Sequence, residues 1–262
     1  MEILEIINSL KKDVHFFIKF TKKEFIEDLK EGMVHMNPLH TFVEMEEEGE
    51  KRGVADLDEL AISFEGKNLV FINLESGEET PLNDKAQMRI QHTQALRFPT
   101  YCLYAIYADM FKITKSNTAD YVDIQLTFNE EQKERIREGF GEYDYAMLFT
   151  AGDFLEEVRE YIRKLDYKSI DGFVEYNEVP TNEQVEIYTE PNAKIFLYKK
   201  EEFSYQNEYR IAILELSIKV PYRFKSSVIK EKGIVYKTED LLNGKCKFRV
   251  ADKSYFFEAS NK

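Results

Sequence analysis

Two hydrophobic periods alternate along this chain and divide it into candidate helices and strands. Ile3, Ile6, Ile7 and Leu10 recur at helical spacing and predict a short amphipathic helix over residues 2–12. Val14–Phe20 reads as a strand. Thr21-Lys22-Lys23-Glu24 then has the form of a capping box, in which hydroxyl and carboxylate satisfy two orphan amide donors reciprocally. Phe25, Ile26 and Leu29 supply the apolar stripe of the helix this box would open, and Gly32 its stop. Met33–His40 is extended around Pro38, and the acidic run Glu44–Glu50 reads as a solvated loop or exposed helix. Ala61–Phe64 and Leu69–Leu74 flank Glu65-Gly66-Lys67-Asn68, which predicts a hairpin with Gly66 at positive φ. A short helix is expected near Asp84–Gln91 within a polar connection.

Pro99 introduces Thr100–Ala108, apolar on both faces and therefore expected as a central strand. Tyr121–Phe128 and Tyr145–Thr150 are further strands, and between them Asn129 caps a charged helix ending near Gly139. Asp153-Phe154-Leu155-Glu156 repeats the capping pattern, with Leu155, Val158, Ile162 and Leu165 on one helical face. Phe173–Tyr176, Ile195–Tyr198, Tyr205–Leu216 and Cys246–Val250 complete a strand-rich second half. The expected fold is one α+β domain over residues 1–262, a mixed, mostly antiparallel sheet with flanking helices. Two intimately packed lobes dividing near residue 140 are the alternative.

Composition narrows the function classes. Hydrophobic residues make up 43% of 262, enough for a folded core. Acidic residues outnumber basic ones 49 to 36, a net charge of −13 that repels phosphate backbones and argues against general nucleic-acid binding. Such an exterior is either simply solvated or docks on a protein partner with a basic surface, in competition with DNA. Cys102 and Cys246 form no C-x-x-C pair or metal spacing and read as reduced thiols, although one disulfide is an open alternative. The first residues carry acids where a signal peptide needs cations, and the apolar run is too short to span a bilayer. A cytoplasmic location without membrane insertion is the expectation.

Candidate chemistry concentrates in Phe203-Ser204-Tyr205-Gln206-Asn207-Glu208-Tyr209-Arg210-Ile211. In an extended chain Gln206, Glu208 and Arg210 share one face, at about 7 Å per step, while Tyr205, Asn207, Tyr209 and Ile211 share the other. That polar row suits a ligand site; the competing reading is a structural Glu208–Arg210 pair. His35 and His40 flank Pro38 at a spacing that fits no zinc motif and read as hydrogen-bonded turn histidines. Asp56-x-Asp58-Glu59 lacks the glycine and spacing of a calcium loop and reads as a solvated acidic loop, although folding could carry Asp56 to a polar site. Phosphate-binding glycine loops and the nucleophile-elbow motif are absent from the sequence, and no metal site is expected.

The order of segments resembles a diverse family of bacterial and phage proteins. The resemblance runs through Phe25–Gly32, Met36-Asn37-Pro38-Leu39, Gly53-Val54-Ala55-Asp56, Tyr101-Cys102-Leu103 and Gly172-Phe173-Val174-Glu175-Tyr176. Its most specific part is Ile195-Phe196-Leu197-Tyr198-Lys199-Lys200 followed by the Phe203–Ile211 segment. It implies a setting in mobile elements and phage–host conflict. Some members are similar to ADP-ribosyltransferases, whose catalytic glutamate sits on a late strand. That similarity implies NAD as cofactor and Glu208 as the glutamate, with His35 or His15 as an early-strand partner. The chain departs from that pattern in lacking an arginine or histidine strand motif with its glycine, and a Ser-x-Ser.

Two functions follow as expectations. The leading one is a cytoplasmic binding or regulatory protein that acts through its acidic surface on a macromolecular partner. The alternative is a nucleotide-dependent transferase that uses Glu208 with Gln206, Arg210 and His35. Metal-dependent hydrolysis through Asp56, Asp58 and Glu59 is a distant third.

Overall fold

The computed structural model describes residues 14–47, 55–67, 70–81, 85–117, 121–190 and 192–251. The helix expected over 2–12 and part of the acidic run after Glu47 lie outside them. The principal sheet runs in the order β11 (Ser169–Phe173), β14 (Glu208–Ile213), β7 (Pro99–Tyr107), β1 (Val14–Thr21), β10 (Tyr145–Thr150) and β16 (Ile234–Lys237). Every neighbouring pair along this path is antiparallel. β2 (Met33–Pro38) joins β7 at one end, and β15 (Tyr222–Lys225) pairs with β2. Smaller ribbons surround this sheet. β3 (Ala61–Lys67) pairs with β6 (Lys85–Gln91), and β4 (Val70–Ile72) with β5 (Glu79–Pro81). β9 (Tyr121–Leu126) sits between β8 (Phe111–Asn117) and β17 (Lys247–Ala251). β12 (Glu175–Asn177) and β13 (Tyr198–Lys200) form a parallel pair. The α+β class with mostly antiparallel sheets is therefore as expected.

Alternation along the central strands sends apolar side chains into layers on both faces. Phe17, Tyr101, Leu103, Tyr209 and Ile211 pack beneath α4 (Ala151–Lys164), whose Phe154, Val158 and Ile162 are buried. Each such side chain contributes about 1.5–3 kcal/mol. On the opposite face Ile18, Phe20, Tyr104 and Leu148 meet α3 (Glu130–Phe140), α7 (Thr238–Leu242) and the β8–β9–β17 ribbon. Farther along, Ala212 meets a third cluster with α2 (His40–Glu47), α5 (Asn182–Thr189) and β3. α1 (Ile26–Lys30) and α6 (Ser227–Lys232) pack against each other at the edge. Gly32 takes φ +78° after α1, and a Cβ there would lie 2.2 Å from the Ser226 carbonyl oxygen, so the stop read at Gly32 has a steric basis.

Several local expectations are corrected. Thr21 stays in β1, paired with Tyr145, and the following 3-10 turn, Lys23–Phe25, has Lys22 at its N-cap position and no side-chain cap. Asp153 does not cap α4; the helix starts at Ala151, and Asp153 accepts a hydrogen bond from the Thr150 hydroxyl. The buried stripe of α4 is Ala151, Phe154, Val158 and Ile162, and Leu165 is exposed. The hairpin around Gly66 does not form between the segments expected, because β3 pairs with β6 and β4 with β5. The expected helix near Asp84–Gln91 is strand β6. Asn129 does cap α3, through reciprocal bonds with Gln132 at 2.8 and 2.9 Å. Cys102 and Cys246 are free thiols. No described helix is long and apolar enough to cross a membrane.

Candidate functional site: a cavity where the sheet divides

β1 follows β7 only as far as Ile18, opposite Tyr104. Beyond that point Lys19, Phe20 and Thr21 stay with β10, while Thr100 and Pro99 turn to β2. Among the described strands, Tyr101, Cys102 and Leu103 pair with β14 on one side and with none on the other. Lys19 enters this fork. Its ammonium donates to the Cys102 carbonyl at 2.9 Å, satisfying a backbone acceptor the ladder leaves open, and lies 4.5 Å from the Tyr101 ring centre. Burial lowers the Lys19 pKa below its ordinary value, and the neighbouring Cys102 and Glu208 work the other way.

The fork opens into a cavity of about 470 Å³. Phe20, Phe25, Tyr104, Phe140 and Tyr143 give it aromatic walls. β2 contributes Met33, His35 and Asn37, its half-buried face, while Val34 and Met36 turn into the core. Glu59, Lys199, Gln206, Glu208 and Arg210 meet at its floor.

The floor is a buried ionic network in which each of five charged side chains is 5% exposed or less. Arg210 donates through Nε to Glu208 Oε1 and through Nη2 to Glu208 Oε2 at 3.3 Å. Its two bonds to Glu59 measure 2.7 and 3.0 Å, and another reaches the Phe196 carbonyl at 3.2 Å. All five guanidinium donors are thus engaged. The Lys199 ammonium donates to Gln206 at 3.0 Å and lies 3.2 Å from Glu59, 3.6 Å from Asp56 and 3.7 Å from Glu208. Among the described residues Asp56, Glu59 and Glu208 therefore have two cations within ion-pair distance, Lys199 and Arg210, with Lys19 and Lys200 acting from farther off. Asp56 is the carboxylate in excess, and burial and then Glu59 push its pKa up to about 7. Burial also opposes ionisation of Glu208, but the adjacent Arg210 and Lys199 outweigh it and hold that carboxyl at about 2. The Glu208 amide donates to the Tyr176 hydroxyl at 2.9 Å.

Gln206, Glu208, Arg210 and His35 thus all line one cavity, although Gln206 arrives by a different route from the one its spacing suggested. Residues 201–206 form a 3-10 turn, and only Glu208–Ile213 is strand. Asn207 joins them at φ +41°, a left-handed conformation that asparagine tolerates better than most residues, and its amide side chain bonds the Ala105 carbonyl at 2.6 Å. Within β14 the alternation holds: Tyr209 and Ile211 enter the core beneath α4, and Glu208 and Arg210 face the floor.

His35 lies on a strand, not in a turn, and its Nε2 has no hydrogen-bond partner among the described residues. Burial, Arg223 and Lys19 lower its pKa, while Asp28, 3.6 Å away, raises it. His40 opens α2 with its Nδ1 3.1 Å from Glu44, and His15 is not part of the lining. The acidic loop is not simply solvated. Asp56 and Glu59 are buried in the floor network, and Asp58 pairs with Arg89 at 3.1 Å and with Lys200. Sequence reasoning did not identify Lys19 or Lys199, although Lys19 is the only Lys or Arg in the apolar run Val14–Phe20. No family model, curated protein or solved structure matches the chain.

Proposed function

We propose that the protein is an enzyme of group transfer whose cavity takes a polar, nucleotide-sized ligand and presents Glu208 to it as a permanent carboxylate. The observation that carries this reading is the meeting of an ionised, buried glutamate with aromatic walls in one cavity at the sheet fork. Its volume falls within the usual range for small-ligand sites, about 300–1,000 Å³. A carboxyl that loses its proton near pH 2 is a poor general base at neutral pH. It is well suited to accept a hydrogen bond from a ligand hydroxyl and to stabilise positive charge that develops in a transition state. Arg210, with every donor engaged, positions Glu208 and does not reach the ligand. Gln206 and the aromatic rings orient polar and flat portions of the ligand.

NAD is the donor that the resemblance to ADP-ribosyltransferases suggests, and these residues fit it: cleavage of a glycosidic bond to nicotinamide builds positive charge on the sugar. NAD would supply the ADP-ribosyl group. The acidic exterior remains a surface for a basic protein partner, as in phage–host conflict, but only the −13 net charge supports that reading.

Glu208→Gln tests the proposal. Removing this negative charge leaves Lys199 and Arg210 facing Glu59 and Asp56, so Asp56 is free to ionise and rebalance the floor. The variant should stay folded while losing on the order of 10²–10³-fold in turnover of an NAD-type substrate. A folded Glu208→Gln protein with undiminished turnover would overturn the assignment.

A further inference from the structure

The charges around the cavity have the opposite sign to the chain as a whole. The protein carries −13, yet the cavity is lined by Lys19, Lys22, Lys199, Arg210 and Arg223 against two carboxylates, Glu59 and Glu208. Both carboxylates are already engaged by Arg210 and Lys199. Lys22 is partly neutralised by Glu142 at 3.2 Å. Lys19 and Arg223 have no carboxylate within ion-pair distance among the described residues, and they flank His35. Arg223 sits directly opposite His35 across the β2–β15 ladder, where paired side chains lie about 4.5–5.5 Å apart at Cβ. Lys19 contributes from the fork and Arg223 from the exposed rim.

Resting on the reading of this cavity as the ligand site, we propose that its Lys19–His35–Arg223 corner binds the anionic end of the ligand, a phosphate or diphosphate group, while Gln206 and Glu208 meet its uncharged polar end. Three observations converge on that corner. Asp28, 3.6 Å from His35, and the more distant Glu208 offset its cations only in part, and neither Lys19 nor Arg223 makes an ion pair among the described residues, so an incoming anion gains more there than over the surrounding acidic surface. Among the described residues Lys19 is anchored through one donor, to the Cys102 carbonyl, and an ammonium has three. His35 is lowered in pKa first by burial and then by Arg223 and Lys19, against Asp28, so both cations act on the imidazole that lies between them. A multiply charged phosphate suits two or three convergent cations better than a single carboxylate does.

The test is titration of the full chain with inorganic pyrophosphate by calorimetry, with the uncharged nucleoside adenosine in parallel. Pyrophosphate should bind, and Lys19→Met should weaken it by about 10–100-fold, the loss typical of a charge-assisted hydrogen bond. Lys19 also satisfies a main-chain carbonyl, so Arg223→Gln serves as the second variant. Arg223 is exposed at the rim, its replacement leaves the fold intact, and it should weaken pyrophosphate by about 2–5-fold without changing adenosine binding. Absence of pyrophosphate binding, or binding that neither variant weakens, overturns the anion assignment. If adenosine still binds in that case, the cavity remains the ligand site. If neither probe binds, the proposed function falls as well.

Discussion

Replacing Asp56 by asparagine should stabilise the protein, and more so in alkaline than in acidic buffer. Burial, and then Glu59 in a floor where three carboxylates have two cations within ion-pair distance, favour the protonated form of Asp56, with a pKa raised from 3.8 to about 7. A carboxyl whose pKa is higher folded than unfolded binds its proton more tightly in the native state. Its contribution therefore erodes as pH climbs from the unfolded value through the folded one. At ~1.4 kcal/mol per pH unit, that erosion amounts to roughly 1.5 kcal/mol by pH 5 and roughly 4 kcal/mol by pH 8, as an upper bound. Asparagine mimics the protonated acid and keeps the oxygen that accepts the Asp58 amide at 2.9 Å. Relaxation of Glu59 and Lys199 will absorb part of the gain. The expected advantage of Asp56→Asn over the parent is therefore about 1–3 kcal/mol greater at pH 8 than at pH 5. Urea unfolding of both proteins at the two pH values measures it, and groups common to both cancel in the comparison. An advantage that is the same at both values, or a loss of stability at pH 8, would refute the charge count on which the floor is interpreted.

The other expectations concern the same floor and its approach. Arg210→Met strands Glu59 and Glu208 in the interior and should cost about 3–5 kcal/mol, read as a fall in melting temperature. Arg210→Lys should recover little, because an ammonium cannot reproduce five donors in a fork. Asn207→Val combines a β-branched residue at φ +41° with loss of the bond to the Ala105 carbonyl and should cost about 2–3 kcal/mol by chemical denaturation. Asn207→Gly, which accepts that backbone freely, should recover more than half of this loss.

The sequence revealed the central strands more readily than their partners. Thr100–Ala108 is apolar on both faces because β7 has packed layers on each side, and Glu208 and Arg210 alternate with Tyr209 and Ile211 as their spacing required. Ala86, Met88 and Ile90 recur with a period of two, a strand pattern that the helix expected near Asp84–Gln91 overlooked. Thr21 carries the letters of a cap, yet β10 claims its backbone first; pairing across the sheet outweighs a local propensity. The floor network was the least legible part. Glu59 and Arg210 are separated by 151 positions, and nothing in the neighbourhood of either announces the other. Lys19 left a faint trace, a lone ammonium in a run of aromatic and aliphatic side chains, but its purpose depends on a fork that no local pattern encodes.

Strand β2 divides its labour by parity. Odd positions 33, 35 and 37 border the hollow, and even positions 34, 36 and 38 are buried on the other side. The lining of the proposed ligand site can therefore change at the odd positions while the interior keeps its Val34 and Met36 untouched. Selection, or a protein engineer, thus has a short register of three places at which to retune recognition without reopening the question of stability.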